Sequence, residues 1–388
     1  MTNLAGQVVS PVDAAELISI VDQCRAAKVG IIATGGAAAP PPLPGDEGRC
    51  VVSFHQMNRI VAHDAQDLVV TLQPGLQFAE LTATLADQGQ RLAIESPAGH
   101  WSLGGLVAGR TTGFLRSSFG PPRDQVLGLQ FVTSDGKLGK AGGRVVKNVT
   151  GYDLAKLFCS SHGSLGLLTE ISLRLRPIPA TTRTLFLKLD RHGDALALAA
   201  DLKRLPNQIS GLAILGGLAA KEHQAPCVLG LRLEGAAVAI ADGEKRCAAL
   251  HADFSTLEPE AAKSFWREAT AFAEGQGFHT TLSMRPSRLE PAIDTMIRSA
   301  ERARFGFVAD PLGGHLSFTL PRPVRDVDTT VGQLLLGRLA TDLEARVAIP
   351  SDPHDLLERH NRFGAPPAAV RALLQRVKVA FDPHGLMG

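Results

Sequence analysis

The stretch that most constrains the fold runs from Gly142 to Pro177 and reads GGRVVKNVTGYDLAKLFCSSHGSLGLLTEISLRLRP. It asks for three conformations in quick succession. A basic strand ending at Lys147 gives way to the polar turn Asn148-Val149-Thr150-Gly151, and then to a short amphipathic helix with Leu154, Leu157 and Phe158 on one face. The loop His162 to Gly166 leads into a strand from Leu167 to Arg176, closed by Pro177. Glycines at 163 and 166 let the backbone come close to a ligand because no Cβ stands in the way. N–H groups exposed by such a loop suit a phosphate or a flat ring system. A plain loop with two turn glycines satisfies the same spacing.

Upstream, Ser10 as N-cap and Pro11 at the first helical position predict a helix running through Ile18, Val21 and Cys24 to Lys28. Val29 to Thr34 is then a short buried strand, and Gly35-Gly36 at its carboxyl end has the position of a ligand loop. Three prolines, Pro40, Pro41 and Pro42, stiffen the chain beyond those glycines and remove N–H donors. Ile60 to Asp64 and Leu68 to Leu72 form a strand pair around an Asp-Ala-Gln-Asp turn, and Phe78 to Gln88 is a helix with Leu81 and Leu85 inside. The run Ser102-Leu103-Gly104-Gly105 predicts a second helix start whose first N–H groups are free, an anion site in principle. Arg123-Asp124 reads equally as a surface turn pair or as part of a site; it precedes the strand Val126 to Thr133, which an Asp135-Gly136 turn closes.

At 388 residues and 45% hydrophobic, the chain can bury two cores. A formal net charge of +2 and 5% aromatic residues argue against a nucleic-acid partner. The five cysteines (Cys24, Cys50, Cys159, Cys227, Cys247) form no CxxC pair, which predicts free buried thiols and neither zinc nor an iron–sulfur cluster. The N-terminus lacks the pattern of a secretory signal, and no apolar run approaches the length of a membrane span. The expectation is a cytoplasmic protein, with membrane association only through a partner.

The order of the motifs is more specific than any one of them. A GG loop is followed by P-G-x-x-x-x-E-L, S-L-G-G-L-V-A, R-D-x-V-L-G-L, D-G, K-N-V-T-G-Y-D-L-A-K-L-F and G-S-L-G-L-L-T-E. This resembles the FAD-binding domain of the vanillyl-alcohol oxidase/p-cresol methylhydroxylase (PCMH-type) family, over about residues 30–179. K-N-V-T-G-Y-D-L-A-K-L-F is most similar to the smaller FAD-binding subunits of bacterial glycolate oxidases. A weaker echo of the family's closing F-D-P-x-G stands at Phe381 to Gly385, without the N-P-G-R that often follows.

The resemblance implies an α+β fold. It places a two-subdomain FAD-binding domain over 1–178 (subdomains about 1–95 and 96–178) and an antiparallel-sheet cap domain with helices on one face over 179–350. The segment 351–388 packs back on the FAD domain. FAD is bound non-covalently. Thr34, Gly35, Gly36 and Ala37 are implied to hold its pyrophosphate, where relatives carry a third glycine and a Ser or Thr. Pro97 and the turn Ser102, Leu103, Gly104 and Gly105 cover the pyrophosphate or the flavin side, and Arg123 and Asp124 belong to the same set. Gly163, Ser164 and Gly166 lie along the cofactor, with Leu168 and Thr169 continuing that wall. His100 is an ordinary loop histidine, and Tyr152 packs beside a helix capped by Asp153.

From Thr184 onward the order strand, helix, strand, strand, helix, strand fits an antiparallel sheet with helices. Oxidation of a 2-hydroxy acid needs a cation for the carboxylate and a base for the hydroxyl proton. His279, His315 and Arg285 are isolated here, with no histidine cluster for a metal, and no residue is assigned as catalytic. The implied function is an electron-transferring flavoprotein subunit of a glycolate (2-hydroxy acid) oxidase, partnered by a catalytic FAD subunit and an iron–sulfur subunit. A stand-alone FAD oxidoreductase of a small hydroxy acid, and a scaffold subunit that has lost FAD, are the two alternatives.

Overall fold

The computed structural model describes residues 4–35, 48–96, 101–109, 113–144, 153–205, 209–251, 253–272, 278–299, 305–320, 343–351 and 368–387. Two compact units emerge. The first comprises Met1–Thr111, Gly120–Ile178 and Pro366–Gly388, and the second comprises Thr112–Phe119 and Pro179–Ala365.

In the first unit, β1 (Val8–Val9), α1 (Ala14–Ala27), β2 (Ile31–Thr34) and β3 (Cys50–Ser53) make a small parallel sheet in the order β1-β3-β2. Leu17, Val21 and Cys24 of α1 pack against Ile31, Cys50 and Val52. The helix starts three residues later than Ser10 predicts. Asp13 is the N-cap, its carboxylate accepting from the Glu16 N–H at 2.9 Å, while the Glu16 side chain accepts from the Val12 N–H at 2.9 Å. This reciprocal pairing satisfies two donors at once, which a serine at position 10 is placed too early to do. Lys28, in the left-handed region at φ 55°, ends the helix.

The remaining elements of the unit are, in order, β4 (Ile60–Asp64), β5 (Val69–Leu72), α2 (Phe78–Ala86), β6 (Gln90–Arg91), α3 (Leu103–Ala108), α4 (Arg116–Phe119, part of the second unit), α5 (Pro122–Gln125), β7 (Val126–Val132), β8 (Leu138–Gly142), α6 (Ala155–Phe158), β9 (Leu167–Arg174) and β10 (Arg176–Pro177). An antiparallel sheet runs β4-β5-β9-β7-β8. Its central strand β9 is buried on both faces: Leu168, Ile171 and Leu173 enter one core and Leu167 the other. The expected helix after residue 153 is a single turn. Ala155 and Phe158 are its buried pair, whereas Leu157 is 43% exposed, because four residues cannot turn all three expected apolar positions inward. Phe158 packs on Phe131 with ring centroids 4.0 Å apart. The expected strand end at Lys147 and the side chain of Tyr152 lie outside the described residues.

In the second unit, β11 (Thr181–Leu189), α7 (His192–Leu202), β12 (Ile209–Gly217), β13 (Cys227–Gly235), α8 (Ala237–Leu250), β14 (Ser255–Thr256), α9 (Pro259–Ala271), β15 (Phe278–Ser283), α10 (Leu289–Ser299), β16 (Gly306–Asp310), β17 (His315–Leu320) and β18 (Arg346–Ser351) build one sheet and its helices. The strand order is β14-β11-β13-β12-β16-β17-β15-β18, with antiparallel pairing throughout. Strand alternation sends Leu212, Ile214, Leu229 and Leu231 to a core with α7, α8 and α10. Ala213, Leu215 and Val228 go to the opposite face, where α9 and Phe114 cover them. The helix layer expected on one face is therefore α7, α8 and α10, with α9 added on the other. The last helix, α11 (Ala368–Phe381), belongs to the first unit, where Val377 and Phe381 join the core around Phe131 and Phe158. No described helix is long and apolar enough to cross a membrane.

Candidate cofactor site

Three segments of the first unit converge at the carboxyl end of β2. Gly35 follows Thr34 there, and a Cβ on Gly35 would overlap the Ser102 hydroxyl. Ser102 is the N-cap of α3, its Oγ accepting from the Gly105 N–H at 3.1 Å. The third segment is the loop after α6. Ser160 donates its N–H to the Val107 carbonyl (3.0 Å) and His162 to that of Ala108 (2.7 Å), which docks the loop on the end of α3. Ser160, His162 and Gly163 all sit at positive φ (61°, 53° and 77°). Two of these are not glycines, so the loop carries backbone strain of a kind that recurs at ligand sites. At Gly163 a Cβ would find Ala33 Cβ at 3.6 Å, so the loop faces β2 with little between them. The N–H groups of Gly35 and Gly163 meet no acceptor among the described residues.

The N-terminus of α3 differs from expectation. Its first donors are spent: Leu103 N–H on the Leu76 carbonyl (2.9 Å), Gly104 N–H on that of Pro74 (2.7 Å) and Gly105 N–H on Ser102 Oγ. Gly104 is a glycine because a Cβ would come 2.7 Å from Pro74 Cβ. This turn is thus the rigid floor that positions Ser102 and Gly35, not a set of free anion donors. Gly166 is likewise a packing glycine, since a Cβ there would come 2.9 Å from the Val132 carbonyl oxygen. The Ser164 hydroxyl bonds the Ser161 carbonyl at 2.6 Å and holds the loop's shape.

Leu168 is a core residue, 6% exposed. Thr169 beside it is more informative. The register of β7 on β9 jumps from Gln130↔Glu170 to Phe131↔Leu168, leaving Thr169 as the extra residue of a bulge. Its hydroxyl is buried and has no hydrogen-bond partner among the described residues. An orphaned buried hydroxyl is costly unless something else meets it, and bulges commonly redirect a side chain toward a site. Arg123 and Asp124 pair with each other at 3.5 Å on the exposed face of α5. Nearby Cys159 has its thiol pushed up to about 12, first by burial and then by Asp153. Asp153 does not cap α6 with its side chain; it pairs with Lys156 at 3.0 Å. Gly36, Ala37, Pro97 and His100 lie outside the described residues.

The second unit holds two polar groupings that sequence reasoning missed. Asp310 is buried and accepts from Ser117 Oγ (2.5 Å) and from the N–H groups of Leu312 and Gly313 (3.0 Å each). Burial pushes its carboxyl up, opposed by those donors and by Arg116, whose own guanidinium is lowered by burial. His315 across the hairpin bonds Ser283 Oγ through Nδ1 at 2.9 Å. Separately, a cleft of about 810 Å³ is lined by Arg183, Arg232, Glu234, Lys263 and Trp266. The Arg232 guanidinium lies 4.4 Å over the Trp266 ring, and its Nε donates to Ser210 Oγ at 3.0 Å. Neither grouping has a local signature, because partners such as Ser117 and Asp310 stand 193 positions apart. Among the described residues no group of three His, Cys, Asp or Glu side chains is placed to hold a metal.

Comparison with known proteins bears on the convergence at Gly35. Residues 5–142 match the family described as "FAD binding domain". The chain carries an FAD-binding domain. Over 157 residues it is 38% identical to glycolate oxidase subunit GlcE of Escherichia coli (strain K12), covering 39% of this chain and 44% of that protein. Over 178 residues it is 34% identical to a mitochondrial cytochrome-type D-lactate dehydrogenase of Arabidopsis thaliana, covering 46% and 31% respectively. The chain thus spans less than half the length of these curated relatives. Among solved structures, p-cresol methylhydroxylase matches with a TM-score of 0.77 at 15% identity, over 100% of this chain and 89% of that one. That likeness establishes the PCMH-type fold. The residues of the first unit fit the cofactor of such a domain: the N–H groups of Gly35, at the end of β2, and of Gly163, in the loop packed beside β2, meet no acceptor among the described residues, and Thr169 carries an orphaned buried hydroxyl in the strand that follows that loop.

Proposed function

We propose that this chain is an FAD-dependent oxidoreductase subunit of a glycolate (2-hydroxy acid) oxidising complex, working with a catalytic FAD subunit and an iron–sulfur subunit. The observation that carries the reading is the 38% identity with glycolate oxidase subunit GlcE over 157 residues. Bound FAD supplies an acceptor of two electrons that can be passed on singly. The chain's own part is to hold it. Thr34, Gly35, Gly36 and Ala37 would hold the pyrophosphate by backbone donors, because a glycine-rich turn at a strand end presents N–H groups to an anion. Ser102 to Gly105 would fix that turn from below, and Gly163, Ser164 and Gly166 would form the opposite wall, with Thr169 as an added polar contact. Pro97, Leu168, Arg123 and Asp124 complete the proposed set, the last two at its exposed margin. The second unit serves as the cap domain.

The test is an anaerobic absorption experiment on the purified chain. Flavin bands should be present, should persist after glycolate is added, and should bleach once the catalytic partner is supplied. Bleaching without any partner would replace this reading with a stand-alone enzyme. A colourless protein that takes up no added FAD would leave only a scaffold.

A further inference from the structure

The end of the chain ties together both walls of the proposed FAD gap. Lys378 on α11 uses all three ammonium protons, donating to the Ser164 carbonyl, to Asp382 Oδ2 and to the Met387 carbonyl, each at 2.7 Å. The Asp382 side chain is fully buried and receives two further donors, Leu386 N–H on Oδ1 (2.9 Å) and Met387 N–H on Oδ2 (3.0 Å). Burial alone would raise this carboxyl, but Lys378, the nearby Ser134 side chain and the two N–H groups outweigh it and hold it below the ordinary carboxylate value. The segment they organise then acts on β2. The Leu386 carbonyl accepts from Ile31 N–H at 2.7 Å, and Met387 bridges Ile31 in parallel. One partner of this network, Ser164, lies in the loop of Gly163. Another, Ile31, opens β2, the strand that Gly35 follows.

We propose that Lys378 and Asp382 are positioning residues for FAD, fixing the separation between the end of β2 and the loop Ser160 to Gly166. The proposal rests on the reading that these two segments bound the cofactor. Its physical basis is the rigidity of a charge-assisted network whose members have no spare donors. Removing the lysine charge strands Asp382 in the core and releases the Ser164 carbonyl, and the loop then loses its tie to the C-terminal segment.

The experiment uses the FAD-loaded chain and two readouts besides turnover: FAD release on dilution, followed by flavin fluorescence, and the visible circular dichroism of bound flavin. Lys378→Met should release FAD about tenfold more readily at temperatures well below unfolding, the loss typical of an outer-shell partner, with an altered dichroic band. Lys378→Arg, which keeps the charge, should recover part of the affinity. Val377→Ala, on the same helix but packed on the aromatic core, serves as the control; it should lower the melting temperature and leave FAD release unchanged. If Lys378→Met lowers the melting temperature alone, or if Val377→Ala releases FAD equally, the proposal fails. Gly163→Val separates the two levels. Weakened FAD binding in that variant with none in Lys378→Met rejects the positioning role alone, whereas no change in either rejects the loop as an FAD wall.

Discussion

Gly35 and Ser102 compete for one small space, and that competition can be read out. Gly35→Ala forces its methyl onto the Ser102 hydroxyl, so it should lower the flavin-to-protein ratio of purified material. Adding Ser102→Gly should restore flavin, at a cost of a few tenths of a kcal/mol at the α3 cap; a double variant as pale as the single one would place the clash elsewhere. Thr169→Val tests the orphaned hydroxyl. It removes an unmet polar group from the core, so the flavin-free protein should be no less stable, while the loaded protein should lose affinity. Asp382 supplies a pH signature. Its folded value is depressed, so its contribution to stability is complete above the ordinary carboxylate range and is lost as pH falls through the folded value. Melting temperatures of the wild type should therefore drop more steeply on acidification than those of Asp382→Asn, which should begin lower and vary less. Gly35 and Gly163 stand out in the sequence as loop glycines whose spacing a plain turn also satisfies, and the structure adds what each one packs against, Ser102 and Ala33. Lys378 does not stand out: its Asp382 partner stands at ordinary i,i+4 helix spacing, and the two carbonyls that give it its place lie 214 and 9 positions away in the sequence and leave no periodic trace.

Local signals specify elements only where the local and tertiary demands agree. The strand pair β4–β5 and the helix α2 with Leu81 and Leu85 inside match their sequence patterns closely. The start of α1 does not, because Ser10 and Asp13 are both good caps and only Asp13 is in reach of Glu16. Asp13→Ala should accordingly cost about 1 kcal/mol in urea unfolding, and Ser10→Ala close to nothing; the reverse ranking would move the helix start back to Ser10. α6 shows the opposite limit. A single turn is too short to develop an amphipathic face, so which residues are buried is decided by Phe131 and Phe381 around Phe158. The α3 turn shows that a helix start cannot be equated with free donors, since the carbonyls of Pro74 and Leu76, well upstream, consume them.

Across the molecule, five cysteines remain as free thiols. Four are buried, and the fifth, Cys159, is pushed up to about 12. At pH 8 about one Cys159 in ten thousand would be a thiolate, so the native protein should react with a thiol reagent only slowly and the urea-unfolded chain at all five positions. Rapid reaction of one native thiol would overturn that arrangement. The fold class was readable from the order of the motifs, several of which mark the end of a strand or a turn: Gly35 after β2, Pro74-Gly75 after β5, and Asp135-Gly136 between β7 and β8. The composition of the second core was not, since it takes Phe114 from a stretch whose neighbours on both sides belong to the first unit. That borrowing has a consequence for how such chains can change. The second unit is no portable cassette: a gene fragment covering 179–365 lacks Phe114, Arg116 and Ser117, and with them part of its core and a hydrogen-bond donor to Asp310. Recombination that exchanges this unit between relatives must therefore carry over a short upstream strip as well, and single-crossover hybrids joined at 178/179 should be recovered mostly as insoluble protein.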